Sequence, residues 1–418
     1  MTRLQSRLGR RLALSAAACA VAVLAAAVPA AASPASPAPP GRGGLRLTLP
    51  EPSGPYRVGE VALHLADASR PDPWQPGQAR RELMVGVFYP AGPADRPAPP
   101  AGTAPYMLPA AAAHFDAVTV DDYLHLGVPA GRADWARTAT HVRRAPGATG
   151  RHPVVLYSPG LGEPRTWGTT LVADLASRGY AVVTIDHTYE APEVQFPDGR
   201  LATLSLPDDP GAFIDKALAV RVADTAFVLD QLARIDAGAD PDVDGQPLPD
   251  GLAGALDLAR VGMFGHSMGG TAAALAMDAD RRIAAGVDLD GNLTDYAGTP
   301  LPVARHGLDR PFLLLGKDGP TDTGPGWQAF LANTPGWKRQ LTLRGSEHAS
   351  FTDAEALIPQ LGLDRATRVG DIGTIEPADA VRTTEAYLAA YFDRWLRDGC
   401  GRLLDGPSPR YPAMEFVG

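Results

Sequence analysis

Two periods of hydrophobic positions run through this chain. Val58–Leu65 alternates loosely, and Glu82–Tyr89 (ELMVGVFY) is a denser strand pattern. Pro153–Tyr157, Ala181–Ile185, Val261–Phe264, Ile283–Leu289, Pro311–Leu315 and Gln340–Leu343 are short apolar runs, each bounded by turn residues. Runs of that kind suit strands buried in a parallel sheet. A helical period replaces them elsewhere. Thr166–Arg178 places Leu171 and Leu175 on one face, and Phe213–Ile235 carries the stripe Leu218, Val222, Leu229 and Leu232. Val381–Leu396 aims Leu388, Tyr391, Phe392 and Trp395 inward. Strands largely alternate with helices, which predicts an α/β fold with a mostly parallel sheet flanked by helices.

Between these elements, Asp67–Gln78, Pro90–Pro105 and Pro192–Pro210 read as turn or loop. Pro109–Thr140 carries mixed signals: one or two short helices that form a lid at 109–140 or simply pack on the sheet. The expected organisation is a single α/β domain over 51–400, preceded by a flexible segment at 33–50 and followed by a C-terminal tail at 401–418. Ahead of it, Arg3, Arg7, Arg10 and Arg11 precede an apolar run from Leu12 to Val28, and Ala30-Ala31-Ala32 follows. That is the layout of a secretory signal peptide over 1–32, so the mature protein is expected outside the cell.

Composition narrows the function. The 418 residues include 45 Gly and 41 Pro, with 45% hydrophobic positions, as in a loop-rich globular protein. A net charge of -9 argues against a nucleic-acid partner and offers no basic patch for anionic lipid. Cys19 falls in the leader, which leaves Cys400 as a lone thiol. Asp240-Pro-Asp242-Val-Asp244-Gly245 begins like a calcium loop, but its twelfth position is Gly251 rather than Glu. It reads as a solvated loop, and no metal or organic cofactor is expected.

The chemistry concentrates at VGMFGHSMGG, Val261 to Gly270. An apolar strand runs into Gly265-His266-Ser267-Met268-Gly269, and a small-residue helix follows. In that setting G-x-S-x-G is a nucleophile elbow with Ser267 at its tip. The glycines allow strand and helix to crowd together. A serine needs a base, and a base needs an orienting carboxylate. His348 follows the last short strand within GSEH, and its carboxylate candidates all stand at strand ends: Asp290, Asp288 and Asp318. Asp290 ends its strand, Asp288 lies deeper, and Asp318 follows the next strand. His266 is expected to be structural, and His187 to line the site or satisfy a carbonyl. Oxyanion donors are expected from the N–H of Met268 and from Leu161 in the turn SPGLG. Trp167 is placed near the acyl or leaving-group side.

Four segments carry a resemblance. YSPGLGEPRTWGTTLVADLASRGYAVVTIDH, DLARVGMFGHSMGG, RRIAAGVDLDG and LRGSEHASFTD resemble the oxyanion, nucleophile, acid and histidine regions of the secreted platelet-activating factor acetylhydrolase family and its bacterial α/β-hydrolase esterase-lipase relatives. The resemblance spans about Tyr56 to Leu396. It implies an α/β-hydrolase fold with Ser267 as nucleophile, Asp290 as acid, His348 as base and Leu161 and Met268 as oxyanion donors. It further implies calcium-independent release of short or oxidised acyl groups from phospholipid-like esters, with transient contact to a lipid surface. Pro159 stands where many members have His, which alters the polarity of that turn. The bacterial relatives also include lipases and polyester hydrolases. A peptidase using the same three residues, or a binding protein on a hydrolase scaffold, are the competing readings.

Overall fold

The computed structural model describes residues 44–93, 102–319 and 324–417. The expected leader at 1–32 lies outside them. Twelve strands occur among the described residues: β1 (Tyr56–Asp67), β2 (Arg81–Pro93), β3 (Arg143–Arg144), β4 (His152–Ser158), β5 (Ala181–Asp186), β6 (Glu193–Gln195), β7 (Leu201–Thr203), β8 (Leu256–His266), β9 (Ile283–Leu289), β10 (Phe312–Lys317), β11 (Lys338–Leu343) and β12 (Met414–Val417). Ten of them form one sheet in the order β12-β11-β10-β9-β8-β4-β5-β2-β1-β3. The run β11 to β5 is parallel throughout, and β2 and β12 join its two ends antiparallel. This is the α/β-hydrolase architecture: a mostly parallel sheet with helices on both faces.

Burial explains why these runs became strands. Val154, Val155, Leu156 and Tyr157 of β4 and Val261, Met263 and Phe264 of β8 are all fully buried, because helices cover both faces of the sheet. One face packs on the helices Ile214–Asp236 and Met268–Ala279, with Leu229, Leu232, Ala273 and Met277 in its core. The other packs on Thr169–Ser177 and Pro377–Leu396, through Leu171, Leu175, Leu388 and Phe392. Chain order reverses between neighbours β4 and β8: β5 lies beyond β4, and β9 to β11 lie beyond β8. A crevice forms at such a switch point, outside the carboxyl ends of the strands.

Several expectations need correction. The segment expected to be flexible up to residue 50 is ordered before that point: Leu47 and Leu49 are buried, and Leu49 N–H donates to the Ala139 carbonyl at 2.9 Å. Their alternate spacing puts both leucines under the 106–140 region, where they meet Phe115, Trp135 and Trp167. That region is packed rather than loose, with ring centroids of Phe115 and Trp135 4.8 Å apart. The loop expected at 192–210 contains the β6–β7 hairpin. β8 begins at Leu256, five residues before the expected apolar run at Val261–Phe264. The tail returns as β12 along β11, which buries Met414. Among the described residues no helix is long and apolar enough to cross a membrane.

Charge is buried beside the crevice. Arg81 of β2 is fully enclosed and donates to Asp72 and to Asp224 of the long helix, both at 2.9 Å. Burial favours a neutral Asp224, but the Arg81 charge outweighs it and holds the carboxyl well below the usual carboxylate range. Removing one partner strands the other charge in a low dielectric. Asp224→Ala is therefore expected to cost about 3–5 kcal/mol in chemical denaturation, whereas the exposed pair variant Asp309→Ala should unfold close to wild type.

Candidate active site

The elbow follows from a lack of space. At Gly269 an added Cβ would lie 1.9 Å from the Ser158 carbonyl oxygen, and at Gly265 it would lie 2.2 Å from the Gly269 carbonyl carbon. Only glycine lets the helix Met268–Ala279 start this close to the ends of β4 and β8. The tight turn drives Ser267 to φ 54° and ψ -123°, a strained backbone for a residue with a side chain. Ser267 is left half-buried at the helix N-terminus. The Met268 N–H is one of the donors that a first helical turn leaves without an intrahelical partner.

Of the candidate carboxylates, the structure brings Asp290 to the histidine. His348 Nδ1 donates to Asp290 Oδ2 at 2.5 Å, and Asp290 Oδ1 accepts the Lys317 backbone N–H at 3.0 Å. Asp290 itself sits at φ 57°, just past β9. Asp288 turns elsewhere: it accepts the Gly291 N–H at 2.7 Å and the Trp327 indole N–H at 3.2 Å. Burial, reinforced by the nearby Asp290 charge, pushes its carboxyl up to about 8. Asp318 accepts the Gly345 N–H at 2.7 Å and so braces the base of the histidine loop. The Lys317 ammonium pairs with Glu347, next to His348.

His266 does more than fill space. Its Nδ1 faces Glu163 Oε1 at 2.9 Å, its Nε2 faces the His348 carbonyl at 2.9 Å, and its ring lies 4.4 Å from that of His348. Both partners are acceptors, so both ring nitrogens carry protons and His266 is an imidazolium. Burial would lower its pKa, but the Glu163 carboxylate outweighs burial and raises it. Glu163 is correspondingly held low by the same charge, against its own burial. Glu163 Oε2 also accepts the Gly160 N–H at 2.7 Å. One buried ion pair thus ties together the turn at Ser267, the turn after β4 and the histidine loop. Sequence reasoning missed Glu163; a carboxylate three residues after Gly160 was the available signal.

His187 is not a lining residue. Its Nδ1 donates to Asp224 and its Nε2 accepts from Ser158 Oγ, each at 3.0 Å. Burial and the Arg221 charge push its pKa down to about 4. Leu161 and Met268 lie half-buried against an apolar wall of Trp74, Phe213, Leu206 and Tyr189. Trp167 is buried among Phe115 and Trp135, with the packed 106–140 region. The carboxylates of Asp240, Asp242 and Asp244 are held within the protein: Asp240 accepts the Asp242 N–H at 3.0 Å, Asp242 accepts the His64 and Asp244 backbone N–H groups at 2.9 Å, and Asp244 faces His64 Nδ1 at 2.9 Å.

Known proteins share this frame. A family model described as platelet-activating factor acetylhydrolase, isoform II, matches residues 46–196. A solved ferulic acid esterase from Streptomyces cinnamoneus is 36% identical, with a TM-score of 0.70, over 90% of this chain and 100% of that one. The chain belongs to the α/β-hydrolase-fold esterases related to platelet-activating factor acetylhydrolase-type enzymes. A probable 1-alkyl-2-acetylglycerophosphocholine esterase from Arthroderma benhamiae is 29% identical to this esterase over 88% of the chain and 93% of its own length. A platelet-activating factor acetylhydrolase from Gallus gallus is 21% identical over 60% of the chain and 66% of its own length.

The His266–Glu163 pair sets a pH signature in the esterase. A raised His266 pKa contributes stability that is complete below the ordinary value of 6.5 and is lost as pH rises through the folded value. A lowered Glu163 pKa contributes stability that is complete above the ordinary value of 4.5 and is lost as pH falls through its folded value. The stability gap between wild type and His266→Gln should therefore be widest between pH 4.5 and 6.5, at about 3 kcal/mol, and should shrink above that window. Urea titrations across pH measure it; a pH-independent gap contradicts the ion pair.

Proposed function

We propose that this chain is a secreted serine carboxylic-ester hydrolase that releases short acyl groups from phospholipid-like esters. The observation that carries the chemistry is the His348–Asp290 hydrogen bond beside a serine held at positive φ on a nucleophile elbow. Export rests on the leader pattern at 1–32. The substrate class rests on the family match over residues 46–196 and on the full-length Arthroderma benhamiae relative.

Ser267 Oγ attacks the ester carbonyl carbon while His348 Nε2 takes its proton. Asp290 accepts the Nδ1–H hydrogen bond, which fixes the tautomer that leaves Nε2 free as a base. The Lys317 N–H on the other carboxylate oxygen keeps Asp290 from turning away. The developing oxyanion is received by the N–H groups of Leu161 and Met268. His348 then protonates the leaving alcohol, and water repeats the sequence on the acyl-enzyme. In apo structures the base–nucleophile hydrogen bond is often long and tightens in the substrate complex. No step calls for a metal or an organic cofactor.

A second reading is favoured by the ferulic acid esterase similarity and by the aromatic side chains Trp74, Phe213 and Tyr189 in the wall beside Leu161 and Met268. In it the acyl group is bulky and aromatic.

Ser267→Ala should abolish ester hydrolysis with the fold intact, and a serine-directed phosphonate should label Ser267 alone. Asp290→Asn should lower kcat by about 10³–10⁴-fold, while Asp318→Asn stays near wild type. The reverse order would make Asp318 the acid. For the substrate, kcat/KM measured on an acyl series from acetyl to palmitoyl should fall gradually with length, on both phospholipid and plain alcohol leaving groups. A preference for aryl-acrylate esters over acetylated phospholipid would select the second reading.

A further inference from the structure

The turn after β4 must aim one backbone N–H at a reacting carbonyl, yet it is rich in glycine and has no strand neighbour of its own. What fixes its peptide planes is a residue far away in sequence. Arg221, on the buried face of the helix Ile214–Asp236, is 1% exposed. Its Nη1 donates to the Pro159 carbonyl at 2.5 Å and to Ser158 Oγ at 3.3 Å. Its Nη2 donates to the Gly160 carbonyl at 3.2 Å. Its Nε donates to Glu190 Oε2 at 2.8 Å, and Glu190 Oε1 accepts the Trp74 indole N–H at 3.3 Å. The guanidinium fork is planar, so holding three directions at once leaves it no freedom to rotate.

In a trans peptide the C=O and the N–H point to opposite sides of the plane. The plane between Pro159 and Gly160 is held at both ends, with its C=O on Arg221 and its N–H on Glu163. The next plane has its C=O on Arg221, so its N–H, that of Leu161, must point the other way. Among the described residues that N–H meets no protein acceptor. We infer that Arg221 is a positioning residue for the oxyanion hole: it grips the Pro159 and Gly160 carbonyls from behind and thereby turns the Leu161 N–H toward the substrate carbonyl. The inference rests on the serine-esterase reading of Ser267.

Lysine at this position keeps a charge beside Glu190 but has a single point of attachment and cannot grip two carbonyls. The test compares wild type, Arg221→Lys and the charge-balanced pair Arg221→Met with Glu190→Gln, using a short-chain chromogenic ester and two ketones of the same acyl length. The trifluoromethyl ketone adds to Ser267 and forms an oxyanion; the methyl ketone stays trigonal. Both variants are expected to keep KM within about threefold, to lose kcat by about 10–100-fold and to lose affinity for the trifluoromethyl ketone by a similar factor, with methyl-ketone affinity unchanged. Wild-type kcat and trifluoromethyl-ketone affinity in a folded variant would overturn the inference. Equal loss of both ketones would also overturn it, because Arg221 would then be merely structural. Ester hydrolysis that survives Ser267→Ala would instead remove the reading of Ser267 as nucleophile, which the same experiment separates from failure of the clamp.

Discussion

The close approach of one helix to two strand ends governs this molecule. The helix Met268–Ala279 starts so near β4 that the Ser158 carbonyl oxygen occupies the space of any Cβ at position 269. Two consequences follow from that single crowding. The chain can turn from β8 into the helix only through a positive φ at Ser267, which lifts the hydroxyl out of the sheet. The same proximity sets the start of the helix, with the Met268 N–H, beside the turn that carries the Leu161 N–H. Ser267 and the two N–H groups proposed as oxyanion donors thus owe much of their relative placement to one backbone contact. Such an arrangement needs no reorganisation when charge develops, which is the property that electrostatic catalysis requires.

Backbone proximity alone would leave the loops free to tilt, and buried charge restrains them. Glu163 with His266 links three loops at the front of the site. Arg221 with Glu190, and Arg81 with Asp72 and Asp224, do the same behind the turn. Enclosed ion pairs add little net stability, since desolvation offsets much of their attraction. Their value here is directional: each has hydrogen bonds to specific backbone or side-chain atoms, and a shifted loop would leave a charge unpaired at a cost of several kcal/mol.

The parallel sheet was legible because strands buried on both faces must be continuously apolar, and only that sheet demands such runs. The elbow was legible because its glycines, its serine and its small-residue helix are local in sequence. Position at the strand end set Asp290 apart from the deeper Asp288, and family resemblance helped to prefer it over Asp318, which stands at the end of the next strand. The β6–β7 hairpin, Glu193–Gln195 with Leu201–Thr203, escaped because six residues cannot establish a period against polar and proline neighbours. Glu163, Arg221 and Glu190 escaped for a different reason. Their partners lie 103, 61 and 31 residues away, and pattern along the chain carries no information about which charges will meet.

The buried network also holds a structural counterpart to the candidate catalytic array. Ser158, His187 and Asp224 repeat the hydroxyl–imidazole–carboxylate chain of Ser267, His348 and Asp290, with hydrogen bonds of 3.0 Å at both links. Yet His187 is enclosed and lies among Arg81 and Arg221, so the imidazolium that a general base must become is opposed by desolvation and by two cations. His348 has a side chain 44% exposed, open to a substrate on one side and paired with Asp290 on the other. His187 is thereby held neutral beside an ionised Asp224, and this array serves to fix the end of β4. Constellation is therefore insufficient to name an active site in this fold: the difference lies in access and in the sign of the surrounding charge, and both favour the pair beside the strained serine.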